Sequence, residues 1–93
     1  MDNTILDNIE IWTKERGRKC DTYISGWNID ITELKYHLKK IKQNCGCNGS
    51  IKNINYNELE NIRVLQLQGN KKNYIIEYLK DNGIDEMNIK IKI

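Results

Sequence analysis

The run Lys14-Glu15-Arg16-Gly17-Arg18-Lys19 lies between two stretches with alternating apolar residues. Ile9-Glu10-Ile11-Trp12-Thr13 precedes it and Asp21-Thr22-Tyr23-Ile24 follows. A period of two describes a strand with one face toward a core and one toward water. Two such strands joined through a short glycine-containing segment make a β-hairpin. That feature commits this part of the chain to a sheet. It also puts four cations and one anion on a protruding tip, where nothing inside the protein is expected to neutralise them. A basic fingertip is a natural probe for phosphate, although a solvated turn is the commoner role of such residues.

Within the hairpin, Ile9, Ile11 and Thr13 share one face, and Glu10, Trp12 and Lys14 the other. Thr22 and Ile24 are expected to face the core and Tyr23 to point away. Trp12 and Tyr23 then share the less covered side, where they either stack on RNA bases or, more commonly for such pairs, cover each other. Residues 1–8 carry little apolar surface and are expected to form a loose tail, with 9–93 as one domain.

After Gly26 the period changes to that of a helix. Asp30 is a suitable N-cap, with Glu33 three residues later. Leu34, Leu38, Ile41 and Cys45 then recur along one stripe. Lys35, Lys39 and Lys42 follow one flank of that stripe, and Lys40 lies opposite. Cys45 to Gly49 should end the helix. A strand over 50–54, a polar loop over 55–61 and a strand over 62–68 follow. In the second of these strands, Leu65 and Leu67 should face the core and Val64, Gln66 and Gln68 the other side.

Gly69-Asn70 forms the junction to a second helix, with Asn70 as the expected N-cap. Lys71 and Lys72 fall in its first turn, where the helix dipole disfavours each exposed cation by about 0.3–1 kcal/mol and where an anionic partner would relieve the cost. Ile75, Tyr78 and Leu79 should be buried, Gly83 should close the helix, and residues 88–93 alternate as a last strand. The order ββαββαβ contains βαββαβ. It therefore reads as an α+β two-layer sandwich, a ferredoxin-like plait with both helices on one face of a mixed sheet.

Charge matters here through its distribution. The net charge is only +2, yet residues 14–42 hold eight basic and four acidic residues. With 30% charged and 39% hydrophobic residues the composition is that of a globular domain. No apolar run approaches the roughly 20 residues of a membrane helix. The polar start lacks the pattern of a signal peptide, so a cytoplasmic protein that does not engage membranes is expected. Three cysteines fit reduced thiols better than a disulfide framework.

Motifs for enzymatic chemistry are missing. There is one histidine, His37, and the sequence contains no phosphate loop, GxSxG elbow or HExxH motif. Cys20, His37, Cys45 and Cys47 could in number form a Cys3His zinc set, but their spacing fits no paired-knuckle pattern and Cys45 lies on the apolar stripe. No catalytic residue, metal or cofactor is assigned.

Taken in order, Arg16-Gly17-Arg18-Lys19, Leu34-Lys35 with Leu38-Lys39, Cys47-Asn48-Gly49, Leu65-Gln66-Leu67-Gln68-Gly69-Asn70 and Asn88-Ile89-Lys90-Ile91 resemble the eukaryotic translation initiation factor one family from Ile9 onward. The resemblance implies a monomeric factor that binds the small ribosomal subunit near the P site, against ribosomal RNA and close to the initiator tRNA, alongside other initiation factors. Carried over to this sequence, it implies RNA contacts by Lys14, Arg16, Gly17, Arg18 and Lys19 of the turn, by Lys35, Lys39 and Lys42 of the first helix, and by Gly69, Asn70, Lys71 and Lys72. The last four stand where the family has Gly-Asp-Gln-Arg. The turn lacks the asparagine usual before its glycine, and Cys20 replaces a typical threonine. The implied role is promotion of scanning and accurate start-codon selection. A reinitiation or recycling factor and a module that binds other initiation factors without RNA are the alternatives. The prominence of Asn, Ile and Lys reflects AT-rich codons, compatible with a cellular or a viral gene.

Overall fold

The computed structural model describes residues 6–27, 29–57 and 60–92. The elements run β1 (Leu6–Arg16), β2 (Lys19–Trp27), α1 (Ile31–Cys45), β3 (Gly49–Asn57), β4 (Glu60–Gln68), α2 (Lys72–Asp81), a single 3-10 turn (Glu86–Asn88) and β5 (Ile89–Ile91). The expected ββαββαβ order is borne out.

The five strands lie in the order β3-β4-β2-β1-β5. β1/β2, β2/β4 and β3/β4 are antiparallel, whereas β1 and β5 are parallel. A plain βαββαβ plait would pair the last strand with the strand before α1. Here a two-residue turn obliges β1 to lie beside β2, so β1 takes that place and β5 pairs with β1 instead. The result is a plait widened by one strand.

Each helix forms for the reasons its sequence supplies. Asp30 accepts the Glu33 N–H at 2.9 Å, and the Gly46 N–H closes the other end of α1 on the Lys42 carbonyl at 2.9 Å. Leu34 and Ile41 are fully buried, and Leu38 and Cys45 pack against the same cluster. Ile75, Tyr78 and Leu79 bring α2 into that cluster, which also holds Ile9, Ile11, Ile24, Trp27, Leu65 and Leu67 from the sheet. Both helices thus cover one sheet face. His37 of α1 and Tyr78 of α2 meet at 2.6 Å, Nδ1 to OH. Burial is the main cause that lowers the His37 pKa from its usual value, and it also pushes Tyr78 up to about 12.

Three boundaries differ from expectation. β1 begins at Leu6, inside the span read as a tail, while residues 1–5 lie outside the described residues. Near that start a register shift between Leu6 and Glu10 and the positive φ of Asn8 (55°) mark an irregularity. Gly26 is fitted to it: at φ +97°, an added Cβ would lie 2.8 Å from the Ile9 Cα and 2.9 Å from the Asn8 carbonyl oxygen. Second, the polar stretch expected as a loop over 55–61 is largely ladder, with Asn55 opposite Asn61 and Asn57 opposite Glu60. Backbone pairing from the core carried the strands past the last apolar residues. Third, β5 covers Ile89–Ile91 and not the whole of 88–93: Asp85 accepts the Met87 N–H and starts a helical turn over 86–88 that takes Asn88, and Ile93 lies outside the described residues.

On the face without helices, Trp12 and Tyr23 stack with centroids 5.6 Å apart and planes 8° from parallel. They are cross-strand partners, so the two rings cover each other. The Lys92 ammonium lies 5.4 Å from the Trp12 ring centre. Val64 alternates to this face yet is fully buried, while Gln68 is exposed.

Candidate nucleic-acid interface

The basic turn is tighter than its six charged or glycine residues suggest. Arg16 pairs with Lys19, leaving only Gly17 and Arg18 as the loop. Gly17 has φ +62° and Arg18 does not share the positive φ, which is the pattern of a type II′ turn with glycine at the first central position. Arg18 therefore stands at the apex. Lys14, Arg18 and Lys19 are exposed and make no ion pair among the described residues.

Arg16 is different, and here the expectation of an uncompensated tip fails. Its Nε donates to Asp21 Oδ2 at 2.6 Å and its Nη2 to Oδ1 at 3.3 Å. The Asp21 side chain is 1% exposed against 54% for Arg16. Gln66 Nε2 donates a third bond to Asp21 Oδ2 at 2.9 Å. The guanidinium hydrogen bond is the chief cause that holds the Asp21 carboxyl below the usual carboxylate range, and the same bond raises the Arg16 pKa. Asp21 and Gln66 did not figure among the residues assigned to the site. A signal for Asp21 existed: a two-residue turn puts it opposite Lys14 and diagonal to Arg16 on one face.

The fold brings the second basic segment to the same end of the sheet. The Gly69 N–H donates to the Cys20 carbonyl at 2.7 Å, linking β4's exit to the hairpin. Arg16, Arg18, Lys19, Cys20, Asp21, Gln68 and Gly69 line one shared opening. The junction is fixed by Thr22, whose fully buried hydroxyl donates to the Gly69 carbonyl at 2.6 Å and accepts the Lys71 N–H at 2.8 Å. Asn70 is thus displaced from the expected cap. The cap position of α2 falls to Lys71, which has no side-chain cap bond, while Asn70 Oδ1 accepts the Lys72 N–H at 3.3 Å in a local turn. A hydroxyl reaching in from β2 outcompeted the sequence-local cap.

Lys35, Lys39 and Lys42 sit together as expected, lining a second opening with Leu38 and Gln43 along α1. Lys42 lies in the last turn of α1, where the helix dipole favours a cation. The four residues of the zinc alternative are not assembled. His37 is engaged with Tyr78, and among the described residues no group of three or more His, Cys, Asp or Glu is placed to hold a metal. Among the described residues, no helix is long and apolar enough to cross a membrane.

What this geometry defines is a small α+β plait with a cationic end built from its hairpin turn and the entry to its second helix. The sequence model of the family "Translation initiation factor SUI1" matches residues 6–85. A protein of Methanocaldococcus jannaschii described as "Protein translation factor SUI1 homolog" is 30% identical over 80 residues, which cover 86% of this chain and 69% of the relative. The chain belongs to the SUI1 family of translation initiation factors. The resemblance drawn from its motifs is borne out.

Proposed function

We propose that the chain binds the small ribosomal subunit near the P site and there promotes scanning and accurate start-codon selection, acting as a cytoplasmic monomer. Lys14, Arg18 and Lys19, with Lys71 and Lys72 beside them, meet ribosomal RNA phosphate; Lys35, Lys39 and Lys42 offer a second contact along α1. The observation that carries this reading is the bond from Gly69 to Cys20, which joins two basic segments far apart in sequence into one end of the molecule. The action is gating. A factor that binds the open, scanning state better than the committed one shifts the balance between them, and this asks no covalent chemistry of it.

The test is a variant with Lys14, Arg18 and Lys19 all changed to Ala. Arg16 is left in place, because its removal would strand the buried Asp21 carboxylate. At a slope of about 0.7 per phosphate contact, three lost contacts weaken binding to purified eukaryotic small subunits by about a hundredfold near 0.1 M salt. Affinity equal to wild type, together with a flat salt dependence, refutes the RNA contact and favours a module that binds other initiation factors.

A further inference from the structure

Among the described residues, Arg16 is the one cation of the turn with an internal partner, and that partner is buried. An arginine fork accepts a carboxylate or a phosphate in the same two-point geometry, so Asp21 and an RNA phosphate compete for one guanidinium. The competition is unequal. A phosphate that took Arg16 would leave a carboxylate 1% exposed with, among the described residues, only Gln66 as its hydrogen-bonding partner, and a buried charge without its counter-ion is costly. A phosphate that left Arg16 in place would gain little from it. Two further cations lie near: Lys14 stands opposite Asp21 in the ladder, and Lys52, lining the opening on the β3 side, favours the charged carboxylate from a distance, but neither forms an ion pair with Asp21 that would replace the Arg16 fork.

We infer that Asp21 lowers the affinity of the cationic end for RNA by keeping Arg16 in an internal ion pair. Asp21 is a restraining residue: it withholds one charge from the surface and leaves Lys14, Arg18 and Lys19 as the cations of the turn that neutralise phosphate. The inference rests on the proposed RNA-facing role of the turn and adds a limit to its strength. A factor that must leave its site at a decision step gains from such a limit.

Three variants test it, Asp21→Asn, Arg16→Gln and the two combined, with Arg18→Gln as the reference for one lost contact. The probes are a short single-stranded RNA and purified eukaryotic small ribosomal subunits, each titrated over a range of salt, with thermal unfolding of every variant alongside. Asp21→Asn adds one available cation, so it should bind the RNA about fivefold more tightly near 0.1 M salt and steepen the log–log salt slope by about 0.7. Arg16→Gln should bind more weakly than wild type, because it leaves the Asp21 carboxylate without its ion-pair partner and removes one positive charge from the cationic end. The double variant restores the wild-type charge balance and should return to wild-type affinity and slope.

Equal or weaker RNA binding by Asp21→Asn, absence of binding included, overturns the inference. It would mean that Asp21 positions Arg16 for contact, and the double variant would then bind as weakly as Arg18→Gln. Should Asp21→Asn fail to fold, the double variant decides, because wild-type affinity supports the inference and the weakness of Arg18→Gln overturns it. Failure of wild type to bind subunits while Asp21→Asn still gains on RNA would refute the ribosomal reading and leave the restraint standing.

Discussion

Changing Thr22 to Val isolates the bond that holds the α2 junction to the sheet. Valine keeps the shape and suits a strand as well as threonine, so the packing opposite Leu67 and the strand propensity are preserved. What disappears is the hydroxyl, and with it the bonds to the Gly69 carbonyl and the Lys71 N–H. Fully buried, each orphaned group would cost about 1–3 kcal/mol. Gly69 and Lys71 are only half-buried, so water recovers part of each loss and about 1 kcal/mol apiece is the better figure. The total, about 2 kcal/mol, matches the upper end of a lost helix cap. For a domain of this size it lowers Tm by roughly 8–16 °C. Thermal unfolding followed by circular dichroism reads the shift, and amide exchange at Lys71 should accelerate in the variant. Thr22→Ser keeps the hydroxyl and should lose less than half as much. A Tm for Thr22→Val within about 2 °C of wild type, or an equal loss in Thr22→Ser, would refute the assignment of the cap to this hydroxyl.

Other expectations concern the backbone and pH. Gly26→Ala drives a methyl into backbone atoms of residues 8 and 9 at positive φ and should cost at least about 3 kcal/mol, whereas Gly17→Ala, with open space around it, should cost about 1–2 kcal/mol; urea unfolding midpoints compare them. Tyr78, pushed up to about 12, favours the protonated phenol in the folded state, so its contribution is full below about pH 10 and lost as pH rises toward 12. Absorbance titration should show one tyrosine ionising late, and Tyr78→Phe should abolish that phase. Acid acts in two steps, because burial lowers the His37 pKa and the Arg16 bond lowers that of Asp21. Stability is full above about pH 6.5, falls below it as unfolded His37 takes up a proton, and falls again below about pH 4 as Asp21 does. His37→Gln should remove the first step; stability that rises between about pH 7 and pH 5 would contradict this sign.

Much of the fold could be read from local pattern, for physical reasons visible in particular residues. Asp30 with Glu33 and the stripe Leu34-Leu38-Ile41-Cys45 settle α1 within one stretch of chain. The α2 cap was not readable, since Thr22 competes with Asn70 from 48 positions away and only the folded sheet makes them neighbours. The cationic turn and the junction before α2 were legible as basic segments. Their meeting at one opening depends on β4 pairing with β2, a non-local fact. The internal ion pair of Arg16 was not legible for a related reason. Charge counting along the sequence registers Asp21 as one anion, but not that it is buried against that guanidinium.

The parallel pairing of β1 with β5 also bears on how the molecule acquires its shape. Ile9 opposite Ile89 joins positions eighty residues apart, and between them lie both helices and three strands. Loop-closure entropy makes such a contact late: the hairpin and the β3–β4 ladder can form from near neighbours, while β5 has to wait for the rest. Until it arrives, β1 is an open sheet edge along Ile9–Ile11, in reach of any other unpaired strand. Among the described residues, three ladder positions and the bond from the Lys92 N–H to the Ile11 carbonyl close that edge, so the conversion of a sticky intermediate into an inert product depends on a very small seam.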